Sequence, residues 1–451
     1  MSELRTIARH SGTVLVGQLA VMAFGVTDTI VAGRFSSEAL AALSVGAAVY
    51  ISVFVALMGV VQAQLPVWAE LRGAGRDDQV GRSVRQVLYL CAITMVLGMG
   101  ALLFPGPLLA WTGVPPSMQA EVGAYLNVLA WALPPALLFR AWSTLNQSLG
   151  KPVLVTWLQA GSLLVKVPLS IWLTFGGAGL PALGLVGCAW ATLIVNWLMF
   201  AAATWLLRTQ PMYKPYRIWA PLERLDWAAQ RGFARLGVPT GLAIMVEVTS
   251  FTLMSLFIAR QGVTAAASHQ VASSLTAVLY MVPLSLGIAT SARVSYWLGA
   301  GDDRMMRLAL RSGFKLAIGL AVVMATGVAL ARQPLANLYA SDPKVVALAA
   351  ALLPWVAVYH LADATQAVSV FVLRCFRIST AALAVYCVFL WGVGLGGGYV
   401  LAYRGAGGMA PLESPAAFWG AGALALALTA AIFVALLWRA AAASRRAAAP
   451  A

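Results

Sequence analysis

Twelve long apolar stretches, at approximately 9–34, 38–65, 84–104, 118–145, 152–175, 183–207, 231–259, 264–291, 309–331, 345–372, 379–401 and 416–438, leave this chain few architectures to choose from. Each reaches or exceeds the ~20 residues that a helix needs to cross the hydrocarbon of a bilayer. The pattern predicts an all-α polytopic membrane protein with twelve transmembrane helices. Glycine and proline within such spans are tolerated, because neighbouring helices satisfy the backbone groups they free. With 61% hydrophobic and 10% charged residues, the chain lies far from soluble proteins, in which about a quarter of residues are charged. The opening residues, MSELRTIARH, run into a span longer than a signal-peptide core and offer no convincing cleavage site. They are predicted to start the first helix of the mature protein.

A net charge of +15 invites a nucleic-acid partner, but its distribution has another explanation. With both termini cytoplasmic, the inner side collects Arg5, Arg9, Arg72, Arg76, Arg82, Arg85, Lys151, six bases from Arg208 to Arg235, five from Arg293 to Lys315, Arg374, Arg377, Arg439, Arg445 and Arg446. The outer side holds only Arg34, Arg260, Arg332, Lys344 and Arg404, while Arg140 and Lys166 lie inside spans. This is the positive-inside rule, and it needs no nucleic acid. Cys91, Cys188, Cys375 and Cys387 sit in or near spans without CxxC spacing and read as small apolar residues.

The chain is also written twice. A shift of 226 residues carries Arg9 onto Arg235, Arg34 onto Arg260, Gly73-Ala74-Gly75 onto Gly299-Ala300-Gly301 and Asp77 onto Asp303 without a gap. Each half contains six spans, an even number, so both enter the membrane in the same orientation as parallel repeats. The working cavity is expected between or inside them. The expected organisation is an N-terminal lobe at 1–208, a basic cytoplasmic linker at 209–230 and a C-terminal lobe at 231–451 that ends in a short basic tail. The two GAG segments read as tight turns, since no Walker-type phosphate loop is present.

Polar residues inside the spans point to function. A lone carboxylate in the middle of a membrane helix costs about 2.5–3.5 kcal/mol, and the usual reason to keep one is a pathway for ions or substrate. In YHLADATQAVSVFVLRCFR, Tyr359, Asp363, Gln366 and Arg374 fall on one narrow helical stripe. His360 could relay protons or make a structural hydrogen bond, and Tyr359 could hold a cation over its ring or fill the core. Glu247 sits near the middle of the seventh span, beyond Pro239 and Gly241, where a kink is expected. In the first lobe, Asp28 is the only acid deep within the first six spans, since Glu38 and Glu121 stand at span ends. Lys166 shares a face with Ser170, and Thr192 and Asn196 lie four apart on the sixth span. A lysine this deep needs a carboxylate partner, so an Asp28–Lys166 pair is predicted. The run WGVGLGGGYV in the eleventh span suggests close packing or local unwinding, not a nucleotide fingerprint.

Asp28 in VTDTIVAG, Pro239 and Glu247 in LGVPTGLAIMVE, and Asp363 in YHLADATQ followed by LR resemble the multidrug and toxic compound extrusion (MATE) family, in its NorM-like branch. The resemblance spans nearly the whole chain. It implies a V-shaped antiporter of two six-helix lobes related by pseudo-two-fold symmetry, which exports organic cations by alternating access in exchange for H⁺ or Na⁺. By motif position, Glu247, Asp363 and Tyr359 would form the second-lobe cation site, with Na⁺ at Glu247 and Asp363 as one option, and Asp28 would be the first-lobe acid. The chain departs from the family pattern where Lys166 and Ser170 replace asparagine-like residues. Lys166 is therefore expected to act as a built-in counter-ion to Asp28, leaving coupling mainly to Glu247 and Asp363.

The resemblance further implies the bacterial cytoplasmic (inner) membrane, with no cofactor beyond the coupling ion, and a monomer is the default expectation because nothing in the sequence argues for an oligomer. Its partners would be small organic cations and membrane lipid. A lipid-linked oligosaccharide flippase of the same superfamily would want several bases in its cavity, and here acids outnumber them. A membrane-embedded enzyme lacks a nucleophile–base or metal constellation in the sequence, and a channel lacks a filter-like segment.

Overall fold

In the computed structural model, which describes residues 2–106, 116–177, 179–405, 408 and 410–448, the apolar stretches are twelve long helices. They are α1 (Glu3–Phe35), α2 (Ser37–Gly73), α3 (Asp77–Leu103), α4 (Pro116–Ser148), α5 (Val153–Phe175) and α6 (Leu185–Thr209), followed by α7 (Trp227–Ala259), α8 (Val263–Gly299), α9 (Asp303–Leu330), α10 (Pro343–Cys375), α11 (Thr380–Arg404) and α12 (Pro415–Ala448). Among the described residues the only strand-like pairing is a single bridge between Gly177 and Leu180. The side chains of Arg445 and Arg446, expected in the basic tail, lie outside the described residues.

Helix starts follow ordinary capping chemistry. The Ser36 hydroxyl accepts from the Ala39 N–H at 3.0 Å to open α2, and the Asp302 carboxylate accepts from the Met305 N–H at 2.9 Å at the head of α9. These contacts satisfy N–H groups that the first helical turn leaves without partners. At the head of α10, Asp342 caps Lys344 and Pro343 occupies the first turn, where a missing N–H costs nothing.

The 226-residue register carries through to the backbone. The last residue of α2, Gly73, maps onto the last residue of α8, Gly299, and the first residue of α3, Asp77, maps onto the first of α9, Asp303. Between them Gly75 and Gly301 both turn with positive φ, +68° and +70°, a conformation other residues avoid. Both GAG segments are therefore tight turns.

The chain gathers into two compact units, Thr13–Gly241 and Met1–Gly12 together with Leu242–Ala451. In the first unit α4 is central, packing against α2, α3 and α6. Leu126, Leu129, Leu133 and Leu137 along α4 meet Leu43 of α2 in one buried cluster. In the second unit α10 takes the corresponding place, against α8, α9 and α12. There the absence of a side chain at Gly287 lets α8 approach Phe371 of α10, where a Cβ would lie 2.7 Å from the ring.

The connection after α6 is a fastened strap. Arg85 of α3 donates from Nε to Glu223 Oε2 at 3.0 Å, from Nη2 to Glu223 Oε1, and from Nη1 to the Arg217 carbonyl at 2.5 Å. One turn on, the Tyr89 hydroxyl donates to the Glu223 carbonyl at 2.8 Å. Gln86 Nε2 donates to the Arg224 carbonyl at 2.9 Å, and Gln230 donates to the Gln86 carbonyl at 2.8 Å. Gly81 completes this face of α3, because a Cβ there would run into the Tyr216 carbonyl. Residues 81, 85 and 89 recur every four positions, so one helical stripe holds the strap.

The glycine-rich part of α11 is a π-helix over Cys387–Gly396 and again over Val400–Arg404. Both features anticipated for this run occur. The helical turns are widened, and Gly398 packs so closely on Phe418 of α12 that a Cβ would lie 2.7 Å from its ring. α7 carries Pro239 inside its helical span. Gly237 and Gly241 on that helix pack on Val60 and Ala56 of α2 without room for a Cβ.

Candidate functional site

The polar residues inside the spans form two clusters, one in each unit. In the unit Thr13–Gly241, Asp28 on α1 and Lys166 on α5 make the predicted pair, with Lys166 Nζ 2.7 Å from Asp28 Oδ1. The Lys166 side chain is 0% exposed, so it does not snorkel to an interface. Its ammonium also donates to the Thr192 hydroxyl at 2.8 Å and to the Cys188 carbonyl at 3.1 Å, both on α6. An ammonium has three hydrogens to donate, and each has an oxygen here. The Thr192 hydroxyl donates in turn to the Cys188 carbonyl at 3.0 Å, and Ser170 donates to Asp28 Oδ1 at 3.3 Å. Asn196, one turn along α6, is buried but makes no described hydrogen bond to this group.

In the other unit, Tyr359, Asp363, Gln366 and Arg374 of α10 are all buried, as their shared stripe requires. Gln366 is held at both ends of its amide. Its Nε2 donates to Asp363 Oδ1 at 2.8 Å, and its Oε1 accepts from the Tyr386 hydroxyl of α11. The tyrosine thus sets the amide so that its nitrogen faces the carboxylate. Half-buried Glu247 of α7 reaches the same place, close enough to feel the charges of Asp363 and Arg374 and beside the Gln366 amide. Tyr280 of α8 lies within the field of both acids.

The Arg374 guanidinium rests 4.3 Å over the Phe371 ring, with one buried Nη1 that has no hydrogen-bond partner among the described residues. Neither Glu247 nor Asp363 makes an ion pair within 4.0 Å among those residues. Tyr359 packs edge-on against Phe251 at 5.8 Å and Trp419 at 5.6 Å. His360, one residue further on, is buried with neither ring nitrogen bonded among the described residues.

The two clusters differ in kind. Asp28 is matched by a contacting cation, whereas Glu247 and Asp363 share one field with Arg374 nearby and no ion pair among the described residues. Two carboxylates in one field, one buried and one half-buried, favour an occupant that brings positive charge. Sequence reasoning missed Tyr280, Tyr386 and the Cys188 carbonyl. A tyrosine in mid-span carries a hydroxyl that needs a partner, which is the signal the two tyrosines offered. A backbone carbonyl leaves no such mark.

Twelve helices in two repeated sets, with acids placed inside both, are the frame of a membrane transporter. The MatE family model matches residues 14–172 and 239–400. The chain is 36% identical over 427 residues to the probable multidrug resistance protein NorM of Aromatoleum aromaticum, covering 94% of this chain and 91% of that one. It is 32% identical to the multidrug resistance protein MdtK of Pectobacterium atrosepticum, over 93% and 92% of the two chains. The crystal structure of the Vibrio cholerae MATE transporter VcmN in the bent form superimposes with a TM-score of 0.85 at 18% identity, covering 99% of this chain and 98% of that one. The chain belongs to the MatE family and is a NorM-type transporter.

Proposed function

We propose that this transporter is a cation-coupled antiporter that exports cationic or amphipathic drugs and toxic organic compounds by alternating access, with H⁺ or Na⁺ as the coupling ion. The observation that carries the reading is the pair of half-buried Glu247 and buried Asp363, in one electrostatic field and without an ion pair among the described residues. A proton or sodium ion entering there relieves the repulsion, and so does the positive end of an organic cation. Occupancy by one then opposes occupancy by the other, and that exclusion is what antiport requires. Relatives whose names describe multidrug resistance support the substrate class.

Expelling a monovalent cation against the membrane potential costs about 2.3 kcal/mol per 100 mV, and one entering H⁺ or Na⁺ returns the same amount. The concentration gradient of the coupling ion supplies the remainder. Gln366, itself held by Tyr386, fixes the Asp363 carboxylate in position. We place the protein in the bacterial inner membrane as a monomer with both termini cytoplasmic. The test is efflux of a fluorescent organic cation from everted vesicles under an imposed ΔpH or ΔNa, applied separately. Asp363→Asn and Glu247→Gln should each abolish gradient-driven efflux. Normal efflux in both variants overturns the proposal.

A further inference from the structure

We infer that the Lys166 ammonium is a tethered cation filling a monovalent-cation site, and that removing its side chain opens this site to a small primary ammonium ion. The donors and acceptors match one for one. Asp28 Oδ1, Thr192 Oγ1 and the Cys188 carbonyl lie at 2.7, 2.8 and 3.1 Å from Nζ. One charged, one hydroxylic and one backbone oxygen make a ligand set suited to any compact monovalent cation. Two of the three are themselves held, Asp28 by Ser170 and the Cys188 carbonyl by the Thr192 hydroxyl. The oxygens therefore owe part of their arrangement to α1, α5 and α6, not only to the lysine. The Lys166 side chain is 0% and Asp28 11% exposed, so a positive charge removed there is not replaced by solvent at no cost.

Cutting lysine back to alanine removes three methylenes and the ammonium, a fragment with the composition and length of n-propylammonium. A ligand of so few atoms in a preformed, charged site is held on the order of millimolar. The inference stands apart from the coupling role proposed for Glu247 and Asp363, since it is read from stability without any transport.

The test follows thermal unfolding of the purified full-length chain with n-propylammonium chloride, against propan-1-ol as a neutral isostere and tetramethylammonium as a cation too bulky for the site. Lys166→Ala should unfold at a lower temperature than wild type, and n-propylammonium should raise its midpoint saturably. Neither control compound should do so, and wild type should not respond. The double variant Asp28→Asn/Lys166→Ala should lose the response. A response to n-propylammonium no larger than that of wild type overturns the inference, as does one that survives in the double variant. If Lys166→Ala does not fold, Lys166→Gln is compared with Asp28→Asn/Lys166→Gln. The single change should unfold earlier and the added Asp28→Asn should restore the midpoint, whereas a Lys166→Gln chain as stable as wild type refutes the need for a resident positive charge.

Discussion

Adding one methyl group at Gly81 should unfasten the strap between α6 and α7. The Cβ of Gly81→Ala would meet the Tyr216 carbonyl oxygen head-on and stand 2.8 Å from its carbon. An ordinary carbon–carbon contact needs about 3.5–4.0 Å, so this stretch of backbone must retreat by roughly an ångström. Retreat stretches the Arg85 bond to the Arg217 carbonyl, now 2.5 Å, and the Tyr89 bond to the Glu223 carbonyl, now 2.8 Å. A charge-assisted bond contributes about 1.5–3 kcal/mol and a neutral one about 0.5–1.5, so losing both costs roughly 2–4 kcal/mol.

The control is Gly100→Ala on the same helix, where nothing lies within 4 Å of the added methyl. There the better helix propensity of alanine should add about 0.5–1 kcal/mol. Limited trypsin digestion reads the difference, because Arg217 and Arg224 are exposed on the strap. Wild type and Gly100→Ala should resist cleavage at these two sites, while Gly81→Ala should be cut there first. Equal cleavage rates in all three chains would refute the argument that this one glycine sets the seat of the strap.

Four further outcomes are expected. Lys166→Met leaves a buried carboxylate without its partner and should lower stability by about 3–5 kcal/mol, while Asp28→Asn/Lys166→Met should recover most of the loss, as a denaturation series on the four chains would measure. Tyr386→Phe leaves the Gln366 carbonyl oxygen without its donor, at a cost of about 1–3 kcal/mol, and should weaken organic-cation efflux more than Tyr403→Phe, whose hydroxyl donates to the Phe257 carbonyl. Outside the membrane, the hydrogen bonds from Arg85 hold the Glu223 carboxyl below its ordinary 4.5. The strap should therefore keep its full hold above about pH 4.5 and loosen as the pH falls below that value, seen as faster amide hydrogen exchange at residues 217–226. Loss of efflux in Asp363→Asn and Glu247→Gln completes the set.

Much of the architecture could be read from the chain because lipid imposes length and polarity limits that few sequences meet by accident. The register from Arg9 to Arg235 exposed the repeat, and the helix starts at Ser37 and Asp77 recur 226 residues on, at Val263 and Asp303. The Lys166–Asp28 pair was legible for the same reason, since a base that deep had one acid available. Tyr386 was not, because its role depends on α11 bringing it to Gln366, twenty residues away along the chain. Nor does a periodic pattern reveal that α1 and α7 each contribute residues to both compact units. That division depends on which neighbours their side chains meet.

The duplicated register also has a consequence for engineering. Shifted by 226, Lys166 of α5 falls on Gly392 of α11, yet Lys166 is wholly buried while Gly392 is exposed. The wide turns from Cys387 to Gly396 take in an extra residue per turn and so swing later positions around the axis. A lysine transplanted to 392 by sequence correspondence would consequently reach toward the outside of its bundle, far from the duty its counterpart performs. The duplication preserved the frame of the two halves, and one softened helix was enough to let their interiors go separate ways.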